Sequence, residues 1–158
     1  MKYSDMSYYH LDMDEEQKRR SAWKNLYFVT GIAVLHTAAG LLNQPSSRTF
    51  YVVYPYLTVF LPLIYAFLGV GTYFRSGVRM SSRQYREGLQ RIRRSLLGIL
   101  ALKGIGILLE LVYLCRNYSR VPIGREIAYL LLHLPVIAVI LWYGRYYDRT
   151  FTKIQAEV

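Results

Sequence analysis

The sequence predicts an all-α integral membrane protein with four transmembrane helices in an antiparallel up-down-up-down bundle. Three observations lead there. Of 158 residues, 53% are hydrophobic and only 19% charged. Those charges fall almost entirely within residues 1–24, 75–94, 116–126 and 145–157, leaving long and nearly charge-free stretches between them. The 20 Lys and Arg outnumber the 10 Asp and Glu, so a formal net charge of +10 is concentrated in the connectors. A chain this apolar would need its charges spread over its surface to fold as a soluble domain. Composition excludes disordered and collagen-like classes, and the single cysteine, Cys115, closes no internal disulfide.

The first 21 residues read as a cytoplasmic tail. They carry Asp5, Asp12, Asp14, Glu15 and Glu16 and no small-residue cleavage pattern, so the following span is expected to stay as an anchor. That span covers about 22–42, close to the ~20 apolar residues needed to cross ~30 Å of hydrocarbon. Thr30, Ala33, Thr37 and Gly40 recur at spacings of three and four and form a small-residue packing stripe bordered by His36.

The second span runs over about 50–74. Tyr51, Tyr54, Thr58, Pro62, Tyr65, Gly69 and Thr72 gather its polar groups on one face. Pro62 lacks the amide hydrogen that would bond the Thr58 carbonyl, which predicts a kink near mid-span.

The connector 75–94 holds Arg75, Arg79, Arg83, Arg86, Arg91, Arg93 and Arg94 against one Glu, a net +6. From Ser81 onward Tyr85, Leu89, Ile92 and Leu96 recur at helical spacing, so the third helix is expected to begin before the membrane, capped by Ser81 or Ser82. Such a loop reads as a topology determinant resting on anionic lipids, or as a docking surface for a protein partner. Nucleic-acid binding is not expected of it. The acidic N-terminal tail is placed to fold back onto this connector.

The third span, about 95–115, carries Lys103, Gly106 and Glu110 on one face of an otherwise aliphatic run. The fourth, about 125–146, presents Glu126, Tyr129 and His133 together, continued by Ile137, Ile140 and Gly144. Tyrosines and tryptophans near the span ends, among them Tyr27, Tyr56, Tyr73, Tyr143, Tyr146, Tyr147, Trp23 and Trp142, read as an aromatic belt. Residues 147–158 form a second cytoplasmic tail.

Orientation follows from Lys and Arg on the flanks. Fifteen lie on the tails and the 75–94 connector, four on the opposite side (Arg48, Arg116, Arg120 and Arg125), and Lys103 lies within a span. Both termini are therefore expected inside a cytoplasmic membrane, and the short loops and compactness suit a bacterial one. The spans and connectors leave no room for a separate domain.

A charged side chain in mid-bilayer costs at least ~2.5–3.5 kcal/mol, so Lys103 and Glu110 are expected to face inward. By the ~1.5 Å rise per residue, His36, Glu110 and His133 lie roughly 8–12 Å below the outer ends of their spans. Tyr54 and Thr58 fall in the same zone, Tyr129 adjoins it, and Lys103 sits deeper. The expectation is a polar layer of His36, Tyr54, Thr58, Lys103, Glu110, Tyr129 and His133. No HExxH, GxSxG, phosphate loop or CxxC is present, so no catalysis is expected. The leading expectation is a non-catalytic accessory or partner-binding subunit. The alternative is a binding or transport module for a small molecule, ion or proton that uses the polar layer, as a homodimer. A minor one is haem or metal binding through His36 and His133, with neither metal nor cofactor in the leading reading.

Overall fold

The computed structural model describes residues 8–42, 50–151 and 154–157; Lys2, Asp5, Arg48 and Lys153 lie outside them. Its elements are β1 (Tyr8–Leu11), α1 (Glu15–Leu42), α2 (Phe50–Thr58), α3 (Phe60–Arg75), β2 (Arg79–Ser81), α4 (Ser82–Tyr85), a π turn (Arg86–Gln90), α5 (Arg91–Asn117), α6 (Ile123–Phe151) and β3 (Ile154–Glu157).

Local chemistry explains where these helices start. Asp14 opens α1, its Oδ1 accepting from the Gln17 amide at 2.6 Å while Gln17 Oε1 accepts from the Asp14 amide at 3.3 Å. Ser81 opens α4 with the same reciprocal box, paired with Gln84. From there α4, the π turn and α5 run on without a gap, so the third helix does begin well before residue 95. The second helix breaks at Val59, three residues before Pro62, where the missing proline amide interrupts the ladder. It resumes with the Leu63 amide donating to the Val59 carbonyl at 3.2 Å.

Among the described residues, three helical runs are long and apolar enough to cross a membrane: Val52–Arg75, Ser82–Asn117 and Ile123–Tyr147. Only 28–33% of their apolar windows is buried within the protein, and Leu57, Leu61, Leu108, Leu131, Leu134 and Leu141 point outward. An outward surface this apolar suggests a membrane protein. At 28 residues α1 is long enough too, but its first turns are charged with Glu15, Glu16, Lys18, Arg19, Arg20 and Lys24.

Buried positions recur at spacings of three and four, with one step of seven on α5 between Lys103 and Glu110. They are Ala22, Asn25, Val29, Ile32, His36 and Ala39 on α1; Ile92, Leu96, Ile99, Lys103, Glu110 and Tyr113 on α5; Glu126, Tyr129, His133, Val136, Ile140, Tyr143 and Tyr147 on α6. This spacing marks the inward face of each helix. α1 packs on α3 and α6, and α5 packs on α2, α3 and α6. A Cβ added at Gly106 would meet Pro55, at Gly98 Pro62, and at Gly69 the Gly88 carbonyl, so α2–α3 and α5 run in opposite directions.

The inward faces correct the small-residue reasoning. Thr30 and Thr37 on α1 are exposed and Ala33 is half-buried. Tyr54 and Tyr65 on the second helix also point outward. Thr58 and Thr72 donate to the Pro55 and Leu68 carbonyls of their own helix at 2.9 and 3.1 Å. A hydroxyl satisfied in this way has no need of the interior. The aromatic belt is corrected as well. Trp23, Tyr27 and Trp142 are exposed, but Tyr73, Tyr143 and Tyr147 are buried in the core. There the Tyr143 hydroxyl donates to Asn25 Oδ1 and Tyr73 faces Ser21 Oγ at 3.5 Å.

The all-α expectation is corrected at one end. β1, β2 and β3 form an antiparallel sheet in the order β2-β1-β3, with Tyr9 opposite Met80 on one side and Ala156 on the other. The N-terminal segment thus meets the 75–94 connector through backbone pairing rather than through charge, and the C-terminal segment joins the other edge of β1. Tyr9 stacks on Tyr85 with ring centroids 4.3 Å apart, and Arg79 lies over the Tyr8 ring. Lys18 reaches across from α1 to the Ser76 carbonyl just beyond α3, an arrangement that complements the negative end of that helix. Burial lowers the Lys18 pKa from its usual value, opposed by the nearby Glu15 carboxylate.

Gly69 is where the chain tolerates least added bulk. Its added Cβ would lie 2.9 Å from Ile92 Cγ1 and 3.0 Å from the Gly88 carbonyl, whereas nothing lies within 4 Å of one at Gly71. Gly69→Ala is expected to lose about 1–3 kcal/mol of stability through overpacking, and Gly71→Ala to lose none. Thermal unfolding of the two purified variants in detergent checks the contrast.

A buried ionisable layer at the end away from the sheet

Five ionisable side chains from α1, α5 and α6 are each at most 3% exposed: His36, Lys103, Glu110, Glu126 and His133. All but Glu126 line one small cavity, with Tyr56, Pro55, Val59 and Tyr129 among its other walls.

The arrangement begins at the break in the second helix. The last four carbonyls of a helix have no partner within it, and α2 ends at Thr58 in the middle of the bundle. Thr58 Oγ1 takes up the Pro55 carbonyl. The Tyr56 carbonyl is taken up from another helix by His36 Nε2 at 3.0 Å. His36 Nδ1 lies 2.7 Å from Lys103 Nζ on α5. One neutral tautomer serves both contacts: Nε2–H donates to the carbonyl and Nδ1 accepts from the lysine. Gly40 makes room for this, because an added Cβ there would lie 2.2 Å from the Tyr56 ring that packs on His36.

On α6, His133 Nδ1 donates to the Tyr129 carbonyl one turn back at 2.9 Å, which leaves Nε2 as the acceptor toward the layer. The Tyr129 ring meets His133 edge-on at 4.5 Å. Farther from the sheet, the carboxyls of Glu110 on α5 and Glu126 on α6 are electrostatic neighbours. None of their four oxygens receives a hydrogen bond from a donor elsewhere among the described residues.

Of the residues the sequence assigns to a polar layer, His36, Lys103, Glu110, Tyr129 and His133 line the one cavity. The structure does not bring in Tyr54, which is exposed and stacks on Phe50, nor Thr58, whose hydroxyl is spent on its own helix. Tyr56 and Glu126 were missed as members. Glu126 shares the Tyr129–His133 face in the sequence, so a signal for it existed. Tyr56 enters through a backbone carbonyl, which no side-chain pattern reveals. Lys103 does not reach Glu110, seven residues along its own helix, and pairs with His36 instead.

The cavity measures about 10 Å³, about the least that holds one water molecule. With both nitrogens of His36 engaged, the layer does not fit haem between His36 and His133. Among the described residues, no three His, Cys, Asp or Glu side chains converge as a metal site, so a His36–His133–Glu110 centre is not formed either. Cys115 is exposed.

The arginines lie at the opposite end. Arg75, Arg79, Arg83, Arg86, Arg93 and Arg94 are exposed and Arg91 half-buried. Arg83 pairs with Glu87 at 2.9 Å.

Comparison with family models, curated proteins and solved structures finds no match for this chain.

Removing the His36 ring should leave both the Lys103 ammonium and the Tyr56 carbonyl without partners. His36→Leu is therefore expected to cost about 3–5 kcal/mol, the range for a buried charge stripped of its partner. Lys103→Met, which deletes the charge itself, should cost less. The double variant should be more stable than the sum of the single losses predicts, and additive losses in detergent unfolding would contradict the bridge.

Proposed function

We propose that this chain is a four-span protein of the cytoplasmic membrane that binds a single positive charge, a proton or small cation, in the outer half of an up-down-up-down bundle. It does so without catalysis. The observation that carries the reading is the pair of buried carboxyls, Glu110 and Glu126, whose oxygens receive no hydrogen bond from any other described residue. Two carboxylates against one Lys103 ammonium leave a negative charge uncompensated in an apolar interior, and binding one positive charge offsets it. An unpaired buried carboxyl is costly, and a purely scaffolding helix pair would be more stable with apolar residues at both positions. The small volume of the layer supports occupancy by something no larger than a water molecule. Movement of a proton or ion through so small a chain would draw on a second copy to enclose the path.

Four spans, rather than three, are supported by α1, which packs on α3 and α6 along its length and turns Asn25 and His36 inward while Val34 and Leu41 face out. The shared sheet supports both tails lying on one side with the 75–94 connector, and the fifteen-to-four imbalance of Lys and Arg marks that side as cytoplasmic. In a Cys115→Ser background, Ser119→Cys should react with an impermeant thiol reagent in intact cells and Gly77→Cys only after permeabilisation. The reverse pattern overturns the orientation.

In proteoliposomes with a trapped pH indicator, the wild-type chain is expected to take up protons under an imposed gradient, and Glu110→Gln and Glu126→Gln to fall to background while eluting as the wild type does on size exclusion. Equal responses from all three would overturn the reading. The accessory-subunit reading draws on one observation, that Thr30 and Thr37 present a small-residue surface outward. It predicts that Thr30→Leu and Thr37→Leu strip a copurifying membrane protein that Glu110→Gln leaves bound.

A further inference from the structure

At the sheet end of the bundle a groove of about 580 Å³ opens outward between α3 and the π turn with the start of α5. One wall is apolar: Leu61, Pro62 and Tyr65. The other carries Arg86, Arg91 and Arg94, with the buried Ser95 alongside. Glu87 also borders the groove, but its carboxylate is engaged by Arg83 at 2.9 Å. The three rim arginines make no ion pair among the described residues.

The π turn shapes this rim. In an α-helix, residues five apart point to different faces, whereas the i→i+5 ladder of Arg86–Gln90 brings Arg86 over Arg91, and Arg94 follows three residues on. The groove also has a direction. Leu61 lies fourteen residues before Arg75, so at ~1.5 Å per residue the apolar wall reaches roughly 20 Å from the end of α3 toward the middle of the bundle. That exceeds half the ~30 Å hydrocarbon thickness.

We infer that this groove holds an anionic phospholipid of the cytoplasmic leaflet, its phosphate among Arg86, Arg91 and Arg94 and an acyl chain along Leu61, Pro62 and Tyr65. Charge complementarity selects the headgroup, since guanidinium groups match phosphate oxygens in pairs and the one acid among the lining residues, Glu87, is bonded to Arg83 and leaves the three rim arginines in excess. The apolar wall selects a lipid over a free phosphate. The inference rests on the reading of the chain as membrane-embedded with the connector inside, and is independent of the Glu110–Glu126 layer.

The test uses the full chain in mild detergent, titrated with phosphatidylglycerol or phosphatidylcholine, with bound lipid counted by native mass spectrometry. The wild type should retain one phosphatidylglycerol per chain and prefer it over phosphatidylcholine by at least about tenfold. Arg86→Gln/Arg91→Gln/Arg94→Gln should bring that preference close to unity, Arg94→Gln alone should lower it, and Arg116→Gln/Arg120→Gln/Arg125→Gln at the opposite end should leave it intact. Glycerol phosphate added in excess should not displace the lipid. Equal retention of the two lipids, loss in the opposite-end control, or displacement by glycerol phosphate would each overturn the inference. Recovery of the chain in solution without detergent would instead overturn the membrane reading on which it rests.

Discussion

Hydrogen-bond partners are scarce wherever water is excluded, and the break between α2 and α3 creates a demand for one inside the bundle. Pro62 removes the donor of the Thr58 carbonyl, the second helix breaks at Val59, and the Tyr56 carbonyl in the last turn before that break is met from a neighbouring helix. His36 meets it. With its Nε2 fixed as donor, Nδ1 becomes an acceptor, and the ammonium of Lys103 finds its partner there. The carbonyl at the break of one helix thus sets the tautomer of a histidine on a second and the destination of a lysine on a third.

The ionisable residues were the sequence's most readable feature, and the reason is physical. Lys103 and Glu110 find no partner on their own helix without reaching out of the apolar zone, so their positions mark the inward face and hence the rotation of α5. Hydroxyl and small residues carry no such information. Thr58 and Thr72 each bond a carbonyl of their own helix, which makes an outward position tolerable. Reasoning from small and hydroxyl groups alone therefore turned α1 and the second helix by about one residue. Gly40 is the exception on α1, because the Tyr56 ring occupies the space a side chain would need.

Two other features were hidden for different reasons. The sheet joins three segments far apart in sequence, and its strands are only three or four residues long. None is long enough to announce itself by alternation, and both edge strands depend on β1 for their only sheet partner. The contribution of Tyr56 is made by its main chain, so it follows from the proline break and not from the nature of its side chain. The caps, by contrast, were local: Ser81 and Gln84 stand at the spacing a capping box requires, and α4 starts there.

The central position of β1 in the sheet bears on how the molecule is made. β1 emerges first, β2 follows after two helical passes, and β3 arrives only when α6 is complete. During synthesis one edge of β1 stays open until the last strand appears, and the sheet closes as a clasp over helices already gathered. The sheet is then completed only when its central strand meets the last of its partners, so a nascent chain halted before β3 is left with an exposed strand edge that other chains can occupy.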